Sequence, residues 1–418
     1  MSAQEDPSGT AGPDPSYLRL LTVLLGTTTF FEGYDTGIAA IIIPDLAKSF
    51  HATTATIGRA ASVVNLGALV ALVVIAAGDR WGRRPLLITT TLAYALFTGL
   101  TAAAGSLLAF AIIQFFARVF LVSELAIAIT IAAEEFPVER RGRFLGSLSA
   151  LGAVGLVVVA LLYRLLSHSA LGWRWLYLIG TVPLLAVAPL RLRLRESQRF
   201  LEARARGIRL RMASVRELVS GPFRGRLALV SALLFFYNFA TLSASAYWTY
   251  FARHERHLSA NTANTFLAAA VVIGIPGYLL AGRLQDRWGR RRTGALFLAV
   301  GMAAGIAAFQ VQGRPLMLAT LALAVFFGLG ATSVMNALSS ELFPTGQRAT
   351  SVAVARSVFG TAGASLGLLL VGLASSGGGL VGTVSNSVSI AALALAPAIV
   401  VLFRLPETAG RELEDIAG

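Results

Sequence analysis

The chain has no cysteine in 418 residues, so no disulfide framework and no thiolate metal site can form. It has one lysine, Lys48, among 35 basic residues. No G-x-x-x-x-G-K-[ST] occurs anywhere, which excludes a phosphate-loop ATPase as the engine of whatever it does. Histidine is nearly as scarce. His254 and His257 stand three apart, but with no third ligand nearby they read as a solvated pair rather than a metal site. No nucleophile–base motif stands out. Enzymatic activity, a bound metal and a cofactor are therefore not expected. The shortage with the widest consequence is charge: 13% of residues are charged, against about 25% in a soluble domain. A soluble enzyme and an ordinary nucleic-acid binder are excluded, whatever the formal charge of +14 implies on its own.

What replaces charge is apolar surface, 56% of residues with a mean hydropathy of +0.72. Apolar runs of the length a bilayer requires, about 18 residues or more, recur along the chain. They predict an all-α membrane protein with spans at 18–43, 57–77, 85–104, 107–133, 144–166 and 172–190, then 227–251, 262–282, 293–311, 315–339, 350–373 and 380–403. Residues 1–17 are polar and Pro/Gly-rich, without the order of a signal peptide, and read as a disordered tail. Two six-helix halves, 18–190 and 227–403, flank a polar linker, 191–226, that carries eleven arginines; a short tail, 404–418, closes the chain. An even span count puts both termini on one side. Placing them in the cytoplasm, and counting residues at span ends with the adjacent side, leaves 26 basic residues inside, seven outside and two within spans. That is the asymmetry of a multi-pass protein of the cytoplasmic (inner) membrane. The arginine-rich linker then serves topology and contact with anionic lipids rather than nucleic acid.

An internal repeat supports the division. GDRWGRR at 78–84 returns as QDRWGRR at 285–291, and EEFPVERRG at 134–142 returns as ELFPTGQRA at 341–349. Both pairs share one offset: Asp79 to Asp286, Arg83 to Arg290, Glu134 to Glu341 and Arg141 to Arg348 are each 207 residues apart. Duplicated halves with substrate bound between them near the bilayer midplane are the plan of secondary transporters.

At these residues the chain resembles the major facilitator superfamily. GRLQDRWGRR at 282–291 fits the family's loop motif G-x-L-x-D-R-x-G-R-R throughout; the first copy has Ile75 in place of the leading glycine. GYDTG at 33–37, RESQRFLEA at 195–203 and PETAGRELEDI at 406–416 look like the sugar porters, organic-ion transporters and metabolite–proton symporters. The resemblance implies the major facilitator fold, a small-molecule substrate, proton coupling and alternating access in a monomer. Residues 235–239 read FFYNF where sugar porters carry paired glutamines, and Gln114 stands where their span-four arginine belongs, so a sugar is not the expected cargo. Acidic and basic groups of the repeated loops (Asp79, Arg83, Glu134, Arg141, Asp286, Arg290, Glu341, Arg348) can pair across helix gaps and near helix ends. They are the expected cytoplasmic gate, a two-state element.

Five charges fall inside spans, where each costs about 2.5–3.5 kcal/mol and is usually functional. Glu32 and Asp35 lie i,i+3 on one face of the first span, Arg118 and Glu124 on the fourth, and Arg356 on the eleventh. The positions 207 further on from the first four are Phe239, Leu242, Val325 and Ala331, all apolar. Gate charges are kept in both halves, while these occur in one, as coupling chemistry permits. Asp35, in the GYDTG motif, and Glu32 are the expected proton-coupling carboxylates, because a carboxylate beside an arginine can exchange its proton for the ion pair. Arg118, Glu124, Gln114, Tyr237, Asn238, Asn336 and Arg356 are the expected substrate contacts, with snorkelling to the cytoplasm as the alternative for Arg356. Tyr247 and Trp248 read as an interfacial aromatic belt, and the pairs Gly33/Gly37, Gly301/Gly305 and Gly363/Gly367 as close helix packing. Three functions stay open: proton-symport uptake of a small polar metabolite such as an organic acid, proton-antiport export of a drug-like or natural product, and a receptor that binds without carrying. Intramembrane arginine favours the first, as does GAVG at 152–155 in place of the exporters' Gly-Pro motif.

Overall fold

The computed structural model describes residues 15–135, 138–166, 169–194, 196, 221–343, 351–377 and 382–408. Among these every regular element is a helix. The first-half residues form α1 (Pro15–Ile41), α2 (Ile43–Ser49), α3 (Thr54–Trp81), α4 (Arg83–Thr101), α5 (Leu107–Glu135), α6 (Val138–Leu166) and α7 (Arg174–Leu190). After the polar segment come α8 (Arg224–His254), α9 (Ala260–Gly274), α10 (Pro276–Trp288), α11 (Arg290–Gln310) and α12 (Arg314–Glu341), then a π-helical segment (Val354–Gly360) running into α13 (Thr361–Ser376), and finally α14 (Val384–Ala392) and α15 (Leu395–Arg404). Nine helical stretches among the described residues are long and apolar enough to cross a membrane.

Several apolar runs are broken rods. The first bends at Ile42, with Pro44 in the opening turn of α2, and the run 260–288 breaks where Pro276 starts α10, since proline has no N–H to continue the preceding ladder. The outer faces are apolar, with Val73, Leu108 and Leu165 more than 70% exposed, a surface suited to lipid. Burial against lipid tails drives little helix association, so close approach of small residues matters instead. A Cβ on Gly33 would lie 1.8 Å from the Gly152 carbonyl oxygen, and one on Gly363 would lie 2.1 Å from that of Phe235. These contacts seat α1 on α6 and α13 on α8. The expected packing role fails at Gly305, where a Cβ would meet nothing within 4 Å.

The apolar interior is not one body. Toward the end away from the DRWGRR loops, one cluster joins both halves through Tyr34, Ile42, Tyr163, Trp248, Phe251 and Leu368. Toward the loop end it separates. Leu21, Leu24, Leu87 and Ile131 pack in the first half, and Leu234, Phe297, Val334 and Leu338 pack in the second. Among the described residues no buried apolar cluster joins the two halves at the loop end.

Candidate functional site

A cavity of about 120 Å³ lies where α1, α2, α3 and α5 face α8 and α13. Its polar wall is Asp35, Asn65, Gln114, Arg118 and Tyr177, and Phe110 contributes an aromatic side. Asp35 is buried on α1 while Arg118 is half-buried on α5. Gly67 lets α3 close on α5 beside Arg118, for a Cβ there would lie 2.5 Å from the Phe115 carbonyl oxygen and 3.2 Å from the Arg118 Cβ. Arg118 attracts Asp35 and Glu32 through space, but among the described residues no direct ion pair joins it to either. Its guanidinium is therefore available for an anionic ligand, with two carboxylates near enough to compete for it.

The two amides on the wall are each tied at the nitrogen. Asn65 Nδ2 donates across the halves to the Thr361 carbonyl oxygen at 3.2 Å and to Ser365 Oγ at 3.1 Å. Gln114 Nε2 donates to Thr101 Oγ1 at 2.7 Å, and that hydroxyl donates in turn to the Phe97 carbonyl at 2.8 Å. Gln114, singled out in the sequence, is thus held on the wall, while Asn65 and Tyr177, which also line it, were not singled out. Nothing distinguishes a cavity asparagine from any other polar residue of an apolar run before the helices are packed.

A second polar cluster gathers around Arg356. Glu32 also feels the charge of Arg356. Arg356 sits on the π-helical segment, a kind of local widening common at functional sites, and hydrogen-bonds Asn336 Oδ1. Tyr278 on α10, missed in the sequence, lies within range of the charges of Glu32 and Arg356. Tyr237 instead bonds within the second half, to the Gly328 carbonyl at 2.9 Å and Thr332 Oγ1 at 2.6 Å. Asn238 bonds its own helix at the Leu234 carbonyl.

Glu124 is not on the cavity wall. It is 1% exposed and pairs with Arg191, itself fully buried, at 2.7 Å. Arg191 also donates to Thr28 Oγ1 at 2.7 Å, to the Leu24 carbonyl at 3.2 Å and to Thr91 Oγ1. The expectation of a substrate contact at Glu124 is corrected on this ground: its carboxylate is packed into the bundle. The expectation that the arginines of 191–226 serve topology and lipid contact is corrected for Arg191 alone, because its side chain turns inward. The repeat carried no sign of this.

At the loop end, two carboxylates cap two helices in the same way. Glu196, of RESQRFLEA, accepts from the Arg83 backbone N–H at 3.0 Å; Glu407, of PETAGRELEDI, accepts from those of Arg290 and Arg291 at 2.8 and 3.0 Å. A carboxylate at a helix N-terminus meets unpaired N–H groups and the positive end of the dipole. Gly82 and Gly289 precede the capped helices with φ of 98° and 89°, a conformation open only to glycine at their ψ. Arg290 further reaches Glu341 at 3.1 Å and Asp286 at 3.3 Å. The side chains of Asp79, Glu134 and Arg141, and Arg348 entirely, lie outside the described residues.

Further bonds between the halves lie at the far end. Arg253 on α8 pairs with Asp45 on α2 at 2.9 Å, Tyr163 donates to the same carboxylate at 2.7 Å, and Thr249 Oγ1 donates to the Ala40 carbonyl at 2.6 Å. Gly58 and Gly372 meet backbone to backbone, a Cβ on either lying 2.9–3.0 Å from the other's Cα. Tyr247 and Trp248 are fully buried here, bonding the Leu368 and Ala263 carbonyls. The aromatic-belt expectation is therefore wrong: both pack inside. Among the described residues no group of three metal-ligand side chains occurs.

The profile of the Major Facilitator Superfamily matches residues 25–252 and 228–417. The niacin transporter NiaP of Acinetobacter baylyi is 28% identical over 424 residues, covering 94% of this chain and 95% of its own. The cis,cis-muconate transport protein of the same organism is 25% identical over 356 residues, covering 84% and 86%. The crystal structure of a D-xylose–proton symporter superposes with a TM-score of 0.80 over 94% of this chain and 99% of its own, at 19% identity, a likeness of fold.

Proposed function

The chain belongs to the major facilitator superfamily, and on that footing we propose that it carries a small organic acid into the cell by proton symport. Twelve spans with both termini in the cytoplasm, alternating access and a monomeric unit in the cytoplasmic membrane complete the reading. The observation that carries it is the cavity wall itself: an arginine and a buried carboxylate, Arg118 and Asp35, line the same cavity without an ion pair between them. An entering carboxylate takes the guanidinium, and Asp35 then holds a proton rather than an uncompensated charge. Release of proton and anion together returns Asp35 to the field of Arg118. Glu32, between Arg118 and Arg356, extends this balance into the second half. The relatives support the cargo class, since niacin and cis,cis-muconate are both organic acids. The loop-end charges, Arg290 with Glu341 and Asp286, act as the cytoplasmic gate of this reading.

The test is accumulation of radiolabelled nicotinate and benzoate in proteoliposomes under an imposed pH gradient, outside acidic. Wild type accumulates an acid, and Asp35→Asn loses accumulation while counterflow exchange persists. Gradient-driven accumulation by Asp35→Asn would remove the coupling assignment; export of every acid tried would reverse the direction.

A further inference from the structure

The break between α1 and α2 leaves one backbone carbonyl in need of a partner. In an unbroken helix the Ala40 oxygen would accept from the N–H of residue 44, but that residue is Pro44 and has none to give. The partner comes from the other half: Thr249 Oγ1, on α8, donates to the Ala40 oxygen at 2.6 Å in a buried setting. Thr249 departs here from what threonines do elsewhere in these helices. Thr90, Thr101, Thr181 and Thr241 each donate to the carbonyl four residues back on their own helix, whereas Thr249 passes over Ser245 and crosses between the halves. What the bond closes is the far side of the cavity. Ile42, Ile43 and Leu46, at the break and on α2, line it opposite Leu242 and Ser245 of α8. Along α8 the contacts run outward in steps of four residues, about 6 Å each: Ser245 on the wall, Thr249 on the freed carbonyl, Arg253 on Asp45.

We propose that α2 is a lid over the cavity, jointed at Pro44, and that Thr249 is the positioning residue that holds it shut. The inference rests on the alternating-access reading above and names a part that moves when the far end opens. A span that already lacks one ladder bond can bend there, so seven residues can swing where a rigid rod would have to carry its whole half. Both bonds that hold the lid have a replacement close by. Thr249 can return to the Ser245 carbonyl, the usual bond of a helical threonine. Asp45 keeps Tyr163, a residue of its own half, at 2.7 Å when Arg253 leaves. The Ala40 oxygen passes to water, which an opened entrance supplies. Opening therefore strands no buried polar group, the condition for a contact that must be made and broken in every cycle.

The measurement is labelling of Ala60→Cys, a cavity position on α3, by a membrane-impermeant maleimide applied to sealed vesicles from either side. Thr249→Val keeps the shape and removes the hydroxyl. It is expected to speed labelling from the far side about fivefold, as loss of one net hydrogen bond gives, with no rise from the loop side. Thr249→Ser keeps the hydroxyl and labels like wild type. In Pro44→Ala the N–H of residue 44 takes the Ala40 oxygen, so adding Thr249→Val there changes the rate little, and the two substitutions are non-additive. Unchanged labelling in Thr249→Val, a rise from both sides, or effects that simply multiply in the double variant overturns the inference. If Pro44→Ala fails to fold, Thr249→Val against Thr249→Ser still decides. Counterflow of nicotinate and benzoate in the same vesicles separates this inference from the reading beneath it. Intact exchange with wild-type labelling in Thr249→Val overturns the lid alone; no exchange of either acid by the wild type overturns the carrier reading.

Discussion

Breaking the buried pair of Arg191 and Glu124 tests the packing argument most sharply. Both side chains are sealed from solvent, and Arg191 gathers Glu124, Thr28, Thr91 and the Leu24 carbonyl around one guanidinium. Removing one partner leaves a buried charge without compensation, which costs about 3–5 kcal/mol. Removing both, in Arg191→Met with Glu124→Gln, replaces the pair by groups of similar volume, and that exchange is often close to neutral. Thermal unfolding of the purified protein in detergent should therefore place each single variant on the order of 10 °C below wild type. The double variant should lie within a few degrees of wild type, so the two losses are strongly non-additive. Losses that simply add, or a harmless Arg191→Met, would refute the assignment of Arg191 to the bundle interior.

Other expectations follow from named contacts. Gly289→Ala must adopt a φ of 89° with its Cβ 2.6 Å from Glu407 Oε2, so it should lose about 1–3 kcal/mol of stability; an unchanged melting temperature would sink the capping argument. Arg118→Ala should weaken binding of an anionic substrate at least tenfold, since charge-assisted hydrogen bonds contribute about 1.5–3 kcal/mol; unchanged affinity removes Arg118 from the site. Arg253→Gln breaks the bond to Asp45 at the far end and should speed maleimide labelling of Ser245→Cys, a cavity position, from that side. The chain has no native cysteine, so the signal carries no background, and an unchanged rate would mean the pair does not hold the halves together.

The helices were legible because a bilayer demands long apolar runs, and the expected span 315–339 sits inside α12, Arg314–Glu341. Asp35 and Arg118 were legible because a charge in such a run is too costly to persist without a cavity or a partner to face. Arg191 was not, since an arginine one residue past a span resembles any topology signal until its long-range partner is known. Tyr247 and Trp248 show the same limit from the apolar side. Position along a helix reports depth, but a helix apolar on most faces gives no moment to say which face is covered. Asn65 and Gln114 differ only in that one stood at a motif position, and their shared orientation depends on acceptors 13 and 296 residues away.

The contact of Gly58 with Gly372 limits how the two halves can move. Gly58 is the fifth residue of a 28-residue helix, so at 1.5 Å per residue it stands about 6 Å from one tip and about 35 Å from the other. A turn of about 10° around that point sweeps the loop end through about 6 Å and the far end through about 1 Å. As a fulcrum it is a good one for widening the loop end and a poor one for widening the other. Opening the far end to the same width requires these two glycines to part and a different point of contact to take the load. If the protein works by the alternating access proposed above, it must rock over two fulcrums in turn, and the methyl group of an alanine at either glycine would wedge the first.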